Sequence, residues 1–217
     1  MSIRLVIFDC DGVMFVSERA NIAFYNEVLR RAGEPALTET AEIACHALSS
    51  AQLFEKYYGH ETELLAKIRE IAGSIDYDPF FPLMEPRPEL RSVLAKLGES
   101  YSVAMATNRS KTVQGVLDRF DLGRYFHYAI GVLDVGRPKP HPDMLLKCAE
   151  HFSVAPHEAV YVGDQHTDAQ AAEAARMPFV GIGPAGAQSR HSIDSLEELP
   201  ALVEAIGGNT RPRFESG

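Results

Sequence analysis

Arg4-Leu5-Val6-Ile7-Phe8-Asp9-Cys10-Asp11-Gly12-Val13 is the stretch on which the reading of this chain turns. A continuous apolar run stops abruptly at two carboxylates one residue apart, and a glycine follows at once. The Leu, Val, Ile and Phe side chains predict a strand buried on both faces, the mark of a central parallel strand. Carboxylates at the mouth of such a strand are costly unless something pairs with them. Along an extended chain Asp9 and Asp11 point the same way, so both can reach one cation or one phosphate. Gly12 lets the backbone turn sharply and approach a ligand. Taken alone, the stretch reads equally well as a strand-ending Asp-Gly turn with solvated aspartates.

The composition narrows the choice. At 217 residues, with 46% hydrophobic residues, the chain can bury a large core or a core plus an inserted subdomain. A net charge of -9 argues against a nucleic-acid-binding surface, which needs a basic patch. An anionic substrate then requires local positive charge or a metal ion. Cys10, Cys45 and Cys148 have no metal-site spacing and read as reduced thiols of a cytoplasmic protein. No apolar run approaches the length of a membrane span, and the start of the chain does not resemble a signal peptide.

After Gly12 the pattern turns helical. Ser17 is placed to cap a helix that Gly33-Glu34-Pro35 ends, and further helices are predicted over about 38–48, 50–58 and 61–75. Asp78-Pro79-Phe80-Phe81-Pro82, with Pro86 and Pro88, marks a re-entry or hinge. From there strands alternate with helices: strands over 101–106, 128–130, 159–162 and 179–182, helices over 89–97, 110–120, 143–152, 167–176 and 196–206. The tail from residue 207 is expected to fray. This order predicts an α/β fold, a Rossmann-like parallel sheet flanked by helices, with an α-helical cap inserted after the first strand. The expected division is a discontinuous core of residues 1–15 and 85–217 and a cap of residues 16–84.

In open parallel sheets the ligand site lies beyond the carboxyl ends of the strands. Asp9 and Asp11 end the first strand, Thr107 and Asn108 the second, and Asp164 the fourth, with Asp168 just after; Lys139 lies in the loop beyond the third. Carboxylates, a lysine and a hydroxyl at one sheet edge suit Mg2+-dependent phosphoryl transfer. Mg2+ takes oxygen ligands, which Asp9, Asp11 and Asp164 can supply, Asp11 through its carbonyl. Lys139, Thr107, nearby backbone N–H groups and a helix starting near Ser110 can neutralise and hold the phosphate. A neutralised phosphate can be attacked by a carboxylate, and the second aspartate is placed to protonate the leaving group and then activate water.

Four segments, in order, carry a resemblance: Asp9-Cys10-Asp11-Gly12-Val13; Thr107 after an apolar strand; Lys139 in Arg-Pro-Lys-Pro-His-Pro-Asp; and Gly163-Asp164-Gln165-His166-Thr167-Asp168. Together they resemble the motifs of the haloacid dehalogenase (HAD) superfamily from residue 1 to about 205, with a small α-helical cap. The resemblance implies Asp9 as nucleophile and Mg2+ ligand, and Asp11 as acid/base and carbonyl ligand. It implies Thr107, Asn108 and Lys139 as phosphate-binding groups, and Asp164 and Asp168 as metal ligands, Asp168 directly or through water and Lys139. Dehalogenases of the superfamily lack the second aspartate, so Asp11 implies a phosphatase or phosphomutase. Val13 replaces a common Thr, and Gln165-His166 replaces small hydroxyl-bearing residues, which alters the surroundings of the metal or the cap.

The expected reaction is hydrolysis of a small phosphorylated metabolite, with no nucleic-acid or membrane partner. The rivals are a β-phosphoglucomutase-type phosphomutase and a catalytically silent binding module on the same fold. His141 and His166 fit no zinc spacing and read as hydrogen-bonding or surface groups. Cys10 is expected to pack into the core. In the cap Arg19, Asn21, His46, Lys56, Tyr57, Tyr58 and His60 can reach a substrate, though most belong to a solvated face. The cap sequence leaves phosphoglycolate, sugar phosphate, nucleotide and pyrophosphate open, and oligomeric state is not legible.

Overall fold

Strand β1, Leu5–Phe8, is fully buried, and a computed structural model shows why its apolar run has no polar alternation. The structure describes residues 2–45, 48, 50–183 and 189–208. Val6 and Phe8 face one hydrophobic cluster, with Val103, Met105, Val160 and Val162. Leu5 and Ile7 face the other, with Ala104, Ala106, Ala159 and Tyr161. Successive strand residues point to opposite faces, so a strand covered on both sides must be apolar throughout.

The remaining strands are β2 (Phe15–Val16), β3 (Glu85–Pro86), β4 (Ser102–Ala106), β5 (Tyr128–Ile130), β6 (Ala159–Gly163), β7 (Phe179–Ile182) and β8 (Ser192–Ile193). The main sheet runs β5-β4-β1-β6-β7-β8, with every adjacent pair parallel. Strand β1 therefore lies between β4 and β6, and the chain leaves it in both directions, the arrangement that opens a crevice at the carboxyl ends.

The inserted helices are α1 (Glu18–Ala32), α2 (Glu39–Ala44), α3 (Ser50–Tyr58) and α4 (Thr62–Ser74). They bury a separate apolar cluster that includes Tyr25, Leu29, Phe54 and Ile68. Gly33 ends α1 in the left-handed conformation, φ +88°, with Glu34 N–H reaching the Leu29 carbonyl. The helix expected over 38–48 stops at Ala44, and residues 46, 47 and 49 lie outside the described residues. A 3-10 segment, Asp78–Leu83, follows α4. Strands β2 and β3 then pair antiparallel and tie the two crossings into and out of the cap together.

Among the described residues the flanking helices are α5 (Leu90–Gly98), α6 (Val113–Arg119), α7 (Asp143–His151), α8 (His166–Ala175) and α9 (Leu199–Ile206). Two expectations are corrected here. Helix α6 begins at Val113, not near Ser110, because the Arg109 carbonyl is held by Val132 N–H in the loop beyond the sheet. Its dipole therefore does not start at Ser110. The last helix begins at Leu199, after a 3-10 turn at Leu196–Glu198 capped by the Ser195 hydroxyl. Residues 209–217 of the tail expected to fray lie outside the described residues.

Candidate active site

Because β4, β1 and β6 are neighbours, Thr107, Asp9 and Asp164 emerge side by side. The turn after Asp9 is tight: Met14 and Phe15 N–H groups both bond the Cys10 carbonyl. Gly12 has φ +78°, and a Cβ there would lie 2.1 Å from Asp164 Oδ2. Glycine is thus required both by the backbone and by the close approach of Asp164. Arg87 clamps the same turn through the carbonyls of Val13 and Gly12, both at 2.8 Å.

Lys139 is almost fully buried and reaches three oxygens: Asp168 Oδ1 at 2.6 Å, Tyr161 Oη at 2.8 Å and Asp9 Oδ1 at 2.9 Å. The contacts to Asp168 and Tyr161 are hydrogen bonds, and the contact to Asp9 is an ion pair. Burial disfavours its charge, but Asp168 and Asp9 outweigh that and push its pKa up. Lys139 is therefore a fixed cation that orients Asp9. Asn108 holds it from behind: its Oδ1 accepts from Lys139 N–H at 3.1 Å and its Nδ2 donates to the Lys139 carbonyl at 3.3 Å. The Asn108 side chain is thus committed to the lysine backbone. Thr107 is buried, and its Oγ1 accepts from Arg109 N–H at 3.3 Å, leaving its own O–H to donate.

The carboxylates of Asp9, Asp164 and Asp168 each offer an oxygen within 4.8 Å of the others, a cluster capable of holding a divalent cation. Asp168 is the most heavily engaged, with Oδ1 bonded to Lys139 and Tyr161 and Oδ2 accepting from the N–H groups of Asp164 and Gln165. Asp164 Oδ1 is buried with no hydrogen-bond partner, and Asp9 Oδ1 has the Lys139 ion pair but no hydrogen-bond geometry. Orphaned buried carboxylate oxygens are costly, and a cation between them would remove that cost. Gln165 Nε2 donates to Asp164 Oδ2 at 2.6 Å, so the departure at Gln165 does touch the surroundings of the cluster.

Burial pushes Asp9 up to about 7, against the opposing charge of Lys139. Burial, reinforced by Asp9 and Asp168, pushes Asp164 up to about 8. Both values lie above the ordinary 3.8, so without metal the folded state holds protons that the unfolded chain has lost. That contribution to stability is complete below the unfolded value and is lost as pH rises through 7 to 8. Thermal melts in chelator and in Mg2+, at about pH 5.5 and about pH 8.5, should show a metal increment in Tm that is larger at the higher pH. An equal increment at both would contradict the assignment of Asp9 and Asp164 to the cation.

Of Asp11 only the carbonyl is expected at the cation, and its side chain lies apart from the carboxylate cluster. The turn at Gly12 carries it toward Arg109, a residue that sequence reasoning missed. Arg109 grips it at both oxygens, Nη2 to Oδ1 at 2.6 Å and Nε to Oδ2 at 2.7 Å. Burial acts to raise the Asp11 pKa, but Arg109, with hydrogen bonds from Ser17 and Asn21, holds it below the ordinary value. Ser17 stands at the N-cap of α1 as expected but makes no side-chain cap bond there. The signal available for Arg109 was charge balance: several carboxylates at one sheet edge need more compensation than Lys139 alone.

A family model described as haloacid dehalogenase-like hydrolase matches residues 6–182, which include every strand-end residue above. The chain belongs to the haloacid dehalogenase-like hydrolase family. As a HAD-type phosphoester hydrolase, it has its candidate catalytic and metal centre in the Asp9, Asp164 and Asp168 cluster. A phosphoglycolate phosphatase of Salmonella typhimurium is 31% identical over 213 residues, 92% of this chain and 77% of that one. A crystal structure of a HAD-superfamily hydrolase from Geobacter sulfurreducens superposes with a TM-score of 0.71 at 35% identity, covering 93% of this chain and 96% of that one. A β-phosphoglucomutase from Clostridium difficile shares the fold, with TM-score 0.81 at 18% identity, covering 95% and 97% of the two chains.

Above the centre of this HAD hydrolase lies a cavity of about 290 Å³ between core and cap. Phe24, Tyr25 and Phe54 line its cap side. Of the cap residues singled out in the sequence, Asn21 lines it and lies 3.4 Å from Asp11 Oδ1. Arg19, Lys56, Tyr57, Tyr58 and His60 lie outside the lining, and His46 lies outside the described residues. Gln52 of the cap donates to the Lys139 carbonyl at 3.2 Å, and Lys111 of the core to the Gly73 carbonyl at 2.9 Å. His141 and His166 are exposed, and Cys10 is buried in the core. Among the described residues no helix is long and apolar enough to cross a membrane.

Proposed function

We propose that the protein hydrolyses a small phosphomonoester with Mg2+, through an aspartyl-phosphate on Asp9. The observation that carries this reading is Asp9 itself: a buried carboxylate at the tip of the central strand, oriented by Lys139 at 2.9 Å and clustered with Asp164 and Asp168. A cation held by Asp9, Asp164, the Asp11 carbonyl and Asp168, the last directly or through water, would neutralise phosphoryl oxygens and favour attack by an anionic carboxylate. An Asp9 oxygen attacks phosphorus, the bond from phosphorus to the ester oxygen breaks, and Asp11, which takes up a proton from water once it is out of the Arg109 fork, gives that oxygen its proton. Water then attacks phosphorus, Asp11 takes a proton from it, the bond to Asp9 breaks, and inorganic phosphate leaves. The Thr107 hydroxyl and the Asn108 N–H hold the phosphate, while Lys139 balances its charge from behind Asp9.

The cavity volume and its partly apolar cap side support a small substrate. The 31% identical relative named phosphoglycolate phosphatase makes phosphoglycolate the first compound to test. The same reading divides the chain into a core of residues 1–15 and 85–217 and a cap of residues 16–84, supported by the β2–β3 pair at the crossings. A cytoplasmic location is supported by the buried free thiols of Cys10, Cys45 and Cys148.

Phosphate release from phosphoglycolate, hexose phosphates, nucleotides and pyrophosphate, with Mg2+ or chelator, is the test. The expected result is release that depends on Mg2+ and is highest for one of the small monoesters. Isomerised hexose phosphate with no free phosphate would overturn the hydrolase reading.

A further inference from the structure

Arg109 is the group that the reaction scheme leaves unused. It is buried, it lines the cavity, and its fork closes on the one carboxylate that must reach the leaving group. In the observed arrangement Asp11 faces the guanidinium. A group gripped at both oxygens by an arginine is not presented to an ester oxygen.

The guanidinium has its own supports. Nη1 donates to Thr112 Oγ1 at 3.3 Å, Nη2 lies 3.4 Å from Met84 Sδ, and the plane sits 5.3 Å from the centre of the Tyr77 ring. These contacts keep the fork aimed at the cavity when Asp11 is elsewhere. Asp11 also has partners to guide it, in Ser17 and in Asn21, whose own Oδ1 accepts from Tyr77 Oη at 3.1 Å. The other cations of the cavity wall have partners of their own: Lys139 reaches three oxygens, Lys111 holds the Gly73 carbonyl, and Arg69 pairs with Glu55.

A planar guanidinium accepts any carboxylate or phosphate in the same bidentate geometry that it offers Asp11. We propose that Arg109 selects substrates bearing a second anionic group, which takes the place of Asp11 in the fork and so releases Asp11 toward the leaving-group oxygen. Recognition and delivery of the acid/base group are thereby one event. Because Asp11 stands two positions from Asp9, the second anion must lie within a few bonds of the transferred phosphorus. Esters of neutral alcohols leave Asp11 in the fork and react slowly. This selection rests on the proposed phosphomonoester hydrolysis.

The test compares 2-phosphoglycolate and 3-phosphoglycerate with their neutral counterparts, 2-hydroxyethyl phosphate and glycerol 3-phosphate. In the parent enzyme kcat/KM should favour at least one anionic compound over its counterpart by about 10- to 100-fold, the range of charge-assisted hydrogen bonds. Arg109→Lys keeps the buried charge but loses the fork, and the preference should fall below about 3-fold. Calorimetric binding of the same compounds to Asp9→Asn and to Asp9→Asn/Arg109→Lys should show the same loss of preference without turnover. Thermal melting checks that each variant is folded. A parent enzyme that releases phosphate with no anion preference overturns the inference and leaves the hydrolase reading standing. So does a preference that survives Arg109→Lys, which makes Arg109 a support for Asp11 alone. No phosphate release from any of the four also overturns the inference, and the wider panel of phosphoesters then decides the hydrolase reading separately.

Discussion

Replacing Asp9 by Asn lowers kcat by roughly 10³-fold or more while leaving the fold in place. Both halves of that expectation come from the position of the residue. Asparagine matches aspartate in size at the end of β1, where the backbone N–H is already bonded to the Val162 carbonyl at 2.9 Å. Lys139 keeps Asp168 and Tyr161 as partners, so no buried cation is stranded. The lost carboxylate is one that burial had pushed up to about 7. In metal-free protein above that pH its ionisation opposes folding, so Asp9→Asn should melt at the same temperature as the parent or higher. The rise in Tm on adding Mg2+ should shrink, because the cluster has lost a ligand. Near-normal turnover in Asp9→Asn would contradict covalent catalysis, and a collapsed fold would contradict the energetic account of Lys139.

Lys139→Met should remove activity and stability together. Methionine fills much of the same volume, so the cost is electrostatic and not a cavity. Lys139 is the cation in direct contact with both Asp9 and Asp168, and its removal leaves two buried carboxylates facing each other. Breaking a buried pair on one side costs about 3–5 kcal/mol. Tyr161 Oη also loses its donor. Asp9 and Asp164, already pushed up by burial, should rise further without the Lys139 charge, so the loss of stability should be larger at pH 8 than at pH 6, as judged by urea unfolding in chelator. Mg2+ should restore part of the stability but not the turnover, because Asp9 is no longer oriented. A Lys139→Met protein as stable as the parent in chelator would show that the buried network is not what holds this edge of the sheet.

The two predictions draw on features with different visibility in the sequence. Asp9, Thr107 and Asp164 were legible because each ends a fully apolar run, and parallel sheets gather such ends on one edge. Lys139 was legible through its proline-rich loop. The contacts that set their behaviour were not. Arg109 and Asp11 meet across 98 positions, and nothing local to either residue signals the pair. The resemblance points to Asn108 at the phosphate, but nothing in the sequence shows that its side-chain amide holds the backbone of Lys139. The β2–β3 pair is two residues long on each side, too short for any alternation to show. Helix α6 starts later than propensity suggests because the Arg109 carbonyl is taken by the loop after β5.

The stereochemical course at phosphorus tests the covalent role of Asp9 most directly. It can be followed by hydrolysing a phosphoester made chiral with oxygen isotopes and sulfur in isotopically labelled water. Transfer to Asp9 and then to water is two inversions, so the released phosphate should retain configuration. This holds whether or not the intermediate accumulates. Net inversion would mean that water attacks the substrate directly, and would contradict the account.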